Sequence, residues 1–358
     1  MQHTNRISRI RSKLVHLEIE ALLFFDMKNI RYLSGFSGSD GALIVGKNKI
    51  ILMVDGRYVT QAKGEVKKAE VVEYNDKIEG IVRVVTGAGL HKVGFESGAI
   101  SFDSYLSLRD RLEEVELKPI SKEVSSIRAV KEQNEIESIK KAVEISSQAL
   151  ISTLDLVRPG IRERDIALEL EYRMRGEGAE KISFETIVAS GKNTALPHAT
   201  PGYRKFEHGD FVVIDYGAVY DGYNSDETCT FIIGSVTDRQ KEIYGIVKDA
   251  HDKALDSVRA GVSCREVDRI ARSHIENAGL GKYFSHGTGH GVGLDVHEAP
   301  RLFTKAEDYL EKGMVVTIEP GVYIPGQWGV RIEDMVLVKE DGCEVLTKMP
   351  KDLRILGC

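Results

Sequence analysis

Phe211-Val-Val-Ile-Asp-Tyr-Gly217 runs apolar up to a carboxylate. The chain then turns at Asp221-Gly222 and returns through Tyr223-Asn-Ser-Asp-Glu-Thr-Cys-Thr-Phe-Ile-Ile233. An Asp-Gly pair between apolar runs is a hairpin signal, because both residues tolerate the positive φ that a tight turn between twisted strands requires. The segment therefore predicts two antiparallel strands. They carry Asp215 and Asp226 where a core strand is ordinarily apolar. The same anomaly recurs downstream. Met314–Glu319 and Val330–Val338 read as strands separated by a Pro/Gly-rich loop that contains Trp328, and they carry Glu319 and Glu333.

Taken singly, each carboxylate has a plain structural reading. Asp215 is close to Gly217 and suits a strand end. Asp226 suits a solvent-facing position, as does Glu227. Glu319 precedes Pro320-Gly321 and suits the start of a turn, and Glu333 is two residues from Arg331, on the same face of a strand. Taken together they are a problem, because an ionised carboxylate in an apolar interior is costly and four of them repel one another. Such a cluster needs protons or cations. The run His286-Gly-Thr-Gly-His290-Gly-Val-Gly-Leu-Asp-Val-His297-Glu298 supplies imidazole and the glycines that allow close backbone approach; a hydrogen-bonded loop histidine is the plain reading of His290. Four negative charges balance two divalent ions. A donor set of oxygens with one imidazole suits Mn²⁺ or Co²⁺, with Fe²⁺ and Zn²⁺ also admissible, better than a thiolate zinc site would.

The surrounding composition is that of a folded protein. The chain has 358 residues, room for about two domains. Lys+Arg number 49 against 55 Asp+Glu, a net charge of −6, which excludes a broadly basic nucleic-acid footprint and gives no attraction to an anionic membrane. Hydrophobic residues make up 42% and charged residues 29%, unlike a disordered chain. The four cysteines, Cys229, Cys264, Cys343 and Cys358, form no CxxC pair. They read as reduced thiols in a cytoplasmic protein. The apolar run Ala21–Phe25 is too short for a signal peptide or a membrane span.

Upstream, Ala21–Phe25, Gly41–Val45, Ile50–Val54, Val71–Tyr74 and Val93–Phe95 read as strands, and residues 5–18, 76–85 and 102–113 as helices. The alternation predicts an α/β domain over 1–121. Within it, Gly35–Gly41 and Asp55-Gly-Arg-Tyr58 read as ordinary turn chemistry. A second domain, 122–358, opens on a long helix within Glu132–Leu156, where Ile136, Ile139, Val143, Ile145, Leu150 and Leu154 recur at helical spacing. It contains an internal echo: Leu154-Asp-Leu-Val-Arg-Pro-Gly160 returns as Leu255-Asp-Ser-Val-Arg-Ala-Gly261, each copy lying between helical patterns. Two helices and then acidic strands, occurring twice, predict two related halves. Chance likeness between two helix ends is the competing explanation.

These residues resemble the metallopeptidase family that includes prolidase (Xaa-Pro dipeptidase), aminopeptidase P and methionine aminopeptidase. The family pattern of Asp, a second Asp about eleven residues on, His, Glu and Glu is matched by Asp215, Asp226, His290, Glu319 and Glu333. The flanking segments Leu196-Pro-His198, Ser225-Asp-Glu-Thr228, His286–Glu298, Ile318-Glu-Pro-Gly-Val-Tyr323 and Gly329-Val-Arg-Ile-Glu-Asp334 resemble the proline-peptidase branch. The likeness covers residues 125–358, and the first 120 residues resemble the smaller N-terminal domain of prolidase-like enzymes. It implies an α/β creatinase-like N-terminal domain and an α+β pita-bread catalytic domain with pseudo-twofold halves, which agrees with the echo.

The resemblance also implies roles. Asp215 would chelate one ion, Asp226 and Glu333 would bridge two, and His290 and Glu319 would complete the second. A hydroxide between the ions would attack the Xaa-Pro carbonyl, and Glu319 would shuttle the proton to the leaving nitrogen. His198 and His297 would hydrogen-bond the substrate carbonyl and the intermediate, and His286 would line the pocket. Thr228 and Arg331 would support the ligands, Arg331 by pairing with Asp226 or Glu333. Arg301 would pair with the free carboxylate of a dipeptide, since a guanidinium fork suits a carboxylate. That favours dipeptides over the longer substrates of an aminopeptidase P, the alternative. A non-catalytic pita-bread binding protein is a remote alternative, because such relatives lose ligands that are intact here. Cys229 departs from the pattern: the family has Arg in that Thr-Arg-Thr run, and alternation turns position 229 away from the ions. The partners implied are proline-containing peptides and a second copy of the chain, with no nucleic acid or membrane.

Overall fold

The computed structural model describes residues 2–357, so the reading of Cys358 as a reduced thiol lies outside the described residues. The chain divides into two compact units between Arg128 and Ala129. The sequence puts the division at 121/122. The following turn of chain belongs to the first unit because Val124 and Ile127 are buried there, and the Ile127 carbonyl accepts from the Tyr32 hydroxyl at 3.1 Å.

The first unit is built on β1 (Ala21–Phe24), β2 (Ala42–Gly46), β3 (Ile50–Asp55), β4 (Glu70–Tyr74), β5 (Lys92–Glu96) and β6 (Glu116–Ile120), in the order β4-β3-β2-β1-β5-β6. β1, β2 and β3 pair antiparallel, and the outer pairings β3–β4, β1–β5 and β5–β6 are parallel. Leu23, Ile44, Met53, Val93 and Phe95 pack with Ile81 and Val85 of helix Lys77–Gly87 in one apolar cluster. The sequence pattern finds the first five strands. It misses β6, where Pro119 argues against a strand; Pro119 is tolerated because β6 is a sheet edge. It also misses helix Met27–Ser34, which is too short to show a period and is fixed by its ends: Asp26 caps Lys28 N–H, and Gly35 closes the other end at φ 81°.

The second unit contains β7 (Lys181–Ile182), β8 (Ile187–Ser190), β9 (Phe211–Tyr216), β10 (Ala218–Tyr220), β11 (Tyr223–Asn224), β12 (Glu227–Ile233), β13 (Gly289–Gly291), β14 (Glu298–Leu302), β15 (Val315–Ile318), β16 (Gly321–Ile324), β17 (Trp328–Arg331), β18 (Asp334–Lys339), β19 (Gly342–Val345) and β20 (Ile355–Leu356). The echo marks a repeated architecture. Helices Gln133–Thr153 and Glu163–Gly176 precede a sheet ordered β20-β12-β9-β8, and helices Asp238–Ser257 and Cys264–Asn277 precede one ordered β14-β13-β15-β18-β19. The two echoed glycines do the same work. Gly160 N–H donates to Phe206 O at 2.9 Å, and Gly261 N–H donates to Leu310 O at 2.8 Å. Each partner returns a bond one residue on, Phe206 N–H to Ile161 O and Leu310 N–H to Val262 O, both at 2.8 Å. Their φ values, 88° and 84°, explain why glycine stands at both.

The strands differ from the sequence expectation at the acidic positions. Tyr223–Ile233 is not one strand: β11 folds back on β10 through Asp221 (φ 49°) and Gly222 (φ 77°), and β12 pairs with β9. Val330–Val338 is likewise divided into β17 and β18, with Ile332-Glu333 between them, and Trp328 starts β17 and packs on Phe211. Asp226 and Glu333 thus occupy corresponding breaks just before β12 and β18, and Glu319 just follows β15. No helix among the described residues is long and apolar enough to cross a membrane.

Candidate metal centre

Alternation along β9 and β12 sorts their side chains. Val212, Ile214, Tyr216, Cys229, Phe231 and Ile233 enter the core of the first half. Asp215 and Thr228, register partners across the β9–β12 ladder, point the other way. In the second half Val316, Ile318, Val336 and Val338 enter the other core, while the Thr317 hydroxyl accepts from the His290 N–H at 3.1 Å and Glu333 faces the first half, accepting from the Thr228 hydroxyl at 2.6 Å. The cleft so formed is about 960 Å³. Asp215, Asp226, His290, Glu319, Glu333, His198, His286, His297, Arg301 and Arg331 all line it.

Ligand atoms of Asp226, His290 and Glu333 lie within 4.8 Å of one another; Asp215 and Glu319 fall outside that cluster but border it. His290 Nε2 is 3.6 Å from Asp226 Oδ2 and 3.3 Å from Glu319 Oε1. His290 Nδ1 is 3.1 Å from the Gly291 carbonyl, which fixes the ring with Nε2 toward the carboxylates. The glycine-rich sequence around it has a steric cause. A Cβ at Gly289 would stand 1.9 Å from the Thr317 carbonyl oxygen, and one at Gly291 would stand 2.2 Å from that of Ala299.

Arg331 is placed differently from the sequence expectation. It pairs with Asp215, Nη2 to Oδ2 at 2.6 Å, rather than with Asp226 or Glu333. The strand break at Ile332-Glu333 frees the guanidinium to reach across to β9. It also donates to the Thr228 hydroxyl at 3.1 Å, to the Tyr323 hydroxyl at 2.9 Å and to the Pro197 carbonyl at 3.1 Å, thereby anchoring the loop that carries His198. Tyr323 joins the site in this way, and its hydroxyl also meets His286 Nε2 at 2.9 Å. The sequence shows Tyr323 within a motif but gives no sign of this role. His297 lies on the cleft side of His290, ring centroids 4.1 Å apart. Arg301 is exposed on β14 opposite His290 and has no carboxylate partner among the described residues. Cys229 is buried on the far side, and burial pushes its thiol up to about 12, so it is no nucleophile.

The electrostatics carry the strain of this crowding. Burial, followed by repulsion from Glu333, Asp215 and Glu319, raises the Asp226 carboxyl well above the usual range, and burial with Glu319 and Asp215 does the same to Glu333. Burial lifts Glu319 to about 7, against the pull of Arg331. Burial lowers His290 to about 3 and His286 to about 4, so both imidazoles are neutral. Asp215 Oδ1 is buried without a hydrogen-bond partner among the described residues. An orphaned carboxylate oxygen, a neutral imidazole and three further carboxylates fit divalent cations, which would remove the repulsion and bind the unpartnered oxygen.

Comparison with known proteins agrees with this chemistry. Residues 137–340 match a family model described as metallopeptidase family M24, and residues 6–130 match one described as the creatinase/prolidase N-terminal domain. A Xaa-Pro dipeptidase of Pyrococcus horikoshii is 40% identical over 340 residues, spanning 94% of each chain. A Bacillus anthracis structure described as a Xaa-Pro dipeptidase superimposes with a TM-score of 0.96 at 40% identity, over 99% of this chain and 100% of that one. A Thermotoga maritima structure described as an X-Pro aminopeptidase superimposes with a TM-score of 0.87 at 38% identity, over 95% and 98% of the two chains.

Proposed function

The chain belongs to metallopeptidase family M24, and from that premise we propose that it hydrolyses the Xaa-Pro bond of dipeptides using two divalent ions held by Asp215, Asp226, His290, Glu319 and Glu333. One observation carries the reading: four carboxylates and a neutral histidine converge on one cleft with a buried carboxylate oxygen left unpartnered. Mn²⁺ or Co²⁺ suits the donors, with Zn²⁺ or Fe²⁺ admissible. Bound there, the ions supply Lewis acidity toward the scissile carbonyl and lower the pKa of water.

The remaining steps fall to side chains. Glu319, beside His290 on the cleft wall, is placed to take a proton from the attacking water and return it to the proline nitrogen. His198 and His297, both on the cleft wall, hydrogen-bond the carbonyl oxygen and the tetrahedral intermediate. Tyr323 and His286 keep the wall rigid through their shared bond. Arg301, without a carboxylate partner among the described residues, receives the free carboxylate of the dipeptide.

The alternative reading, release of the first residue from longer Xaa-Pro peptides, is favoured by the 38% identity to the Thermotoga maritima X-Pro aminopeptidase. Hydrolysis of matched Xaa-Pro and Xaa-Pro-Yaa substrates, with and without chelator, tests both. Preference for the dipeptide, lost on Arg301→Ala, is expected; preference for the tripeptide supports the alternative. Inertness toward both with every ion overturns the proposal. The proposal also includes a homodimer, testable by light scattering. It includes a cytoplasmic setting as well, which the three unpaired described cysteines support.

A further inference from the structure

Behind the metal-facing carboxylates lies a second, internally paired charge cluster. Strand alternation puts Glu227, next to Asp226, and Asp334, next to Glu333, on the faces turned away from the cleft. Lys351, from the segment leading into β20, lies between them. Its ammonium is 2.6 Å from Glu227 Oε1 and 3.4 Å from Asp334 Oδ1. The side chains of Lys351, Glu227 and Asp334 are only 7%, 1% and 8% exposed, so little solvent screens the pairs. Glu227 belongs to the sheet of the first half and Asp334 to that of the second. The ammonium therefore spans the seam between halves at the place where each half delivers a metal-facing carboxylate.

We propose that Lys351 is a positioning residue: by bridging Glu227 and Asp334 it sets the separation of Asp226 and Glu333 and so the fit of the ion site. Further hydrogen bonds hold both carboxylates in place. Glu227 Oε2 accepts from Tyr216 at 2.7 Å and from Ser147 at 3.2 Å, and Asp334 Oδ1 accepts from the Thr347 hydroxyl. Although burial opposes it, the facing Glu227 and Asp334 carboxylates keep the ammonium charged. Removing the cation leaves two buried carboxylates facing each other across the seam, and their repulsion moves the ligand-bearing backbones apart. Position 229 gives an independent handle, because Cys229 Sγ is 3.5 Å from Lys351 Nζ. A cation extending from 229 reaches the same carboxylates.

The inference rests on the two-ion reading, and the experiment separates the two. EDTA-stripped wild type, Lys351→Met, Lys351→Arg and the double variant Cys229→Arg/Lys351→Met are titrated with Mn²⁺ by calorimetry, with folding checked by circular dichroism. The expected result is at least tenfold weaker binding in Lys351→Met, affinity within threefold of wild type in Lys351→Arg, and substantial recovery in the double variant. KM at saturating Mn²⁺ stays within about twofold throughout. Should Lys351→Met fail to fold, Glu227→Gln carries the same comparison, again with weakened binding expected. Wild-type affinity in the folded uncharged variant overturns the positioning role and leaves the two-ion reading intact. Absence of Mn²⁺ binding in the wild type overturns both.

Discussion

At the scale of single residues, the carboxylates of the cleft decide how stability depends on pH. Glu319 is held to about 7 by burial, and Asp226 and Glu333 are also raised by burial and mutual repulsion. An acid raised in the folded state keeps a proton that the unfolded chain has released, so its contribution is lost as pH climbs from the unfolded value toward the folded one. His286 and His290, lowered to about 4 and about 3, act in the opposite sense, but only below about 6.5, where an unfolded imidazole charges. Above that value the lowered imidazoles drop out, and the raised carboxylates act in the same sense as His251, which its neighbours Asp252 and Asp334 raise against burial. The melting temperature of metal-stripped protein is therefore expected to fall between pH 6.5 and 8.5, less steeply in Glu319→Gln, while Mn²⁺-loaded protein stays flat. A level profile in the stripped protein would contradict the crowded-carboxylate picture. The same Glu319→Gln substitution is expected to lower kcat by about 10²–10⁴-fold, measured on an Xaa-Pro dipeptide at saturating Mn²⁺, if this side chain moves the proton.

At the scale of elements, the site depends on a helix that never enters it. Asp268 of helix Cys264–Asn277 accepts from the Thr288 N–H and hydroxyl, both at 3.0 Å, and pairs with Arg272 at 2.9 Å. Arg272 in turn holds the His286 carbonyl at 2.7 Å. Its loss strands Arg272 and an amide. Asp268→Ala is thus expected to cost about 3–5 kcal/mol, read by urea unfolding, and to loosen the strand that carries His290. Gly289→Ala is expected to abolish folding of that strand, because the added carbon meets backbone rather than a movable side chain; a soluble variant with wild-type metal affinity would refute this. Much of this was legible in the sequence. The Asp221-Gly222 turn, the echoed Gly160 and Gly261 and the acidic anomalies at Asp215, Asp226, Glu319 and Glu333 announce themselves by local chemistry, while the candidate ligand set with His290 follows from the family resemblance. Strand breaks at Asp226 and Glu333 did not, since an apolar run on either side conceals them. Nor did the Arg331–Asp215 pair or the Lys351 bridge, whose partners are distant in sequence and declare no period.

At the scale of the molecule, the second unit has what a free-standing domain needs: two apolar clusters, one within the first half and one built mainly from the second half with Phe211 and Ile232 of the first, both internal to residues 129–358. Expressed alone, 129–358 is expected to fold with a cooperative thermal transition. Asp215 and Asp226 come from the first half and His290, Glu319 and Glu333 from the second, so ions bound among them would tie the halves together as no single sheet does. Ligand linkage makes the consequence measurable. Each of the two proposed ions, present at about a hundred times its dissociation constant, adds about 2.7 kcal/mol. Together they correspond to roughly 10–20 °C for a domain of this size. Saturating Mn²⁺ should raise the transition of both the fragment and the full chain by about that much, with EDTA reversing it. A shift in the full chain and none in a folded fragment would mean that the five side chains do not hold the ions unaided, and the origin of the site in the seam between the halves would have to be abandoned.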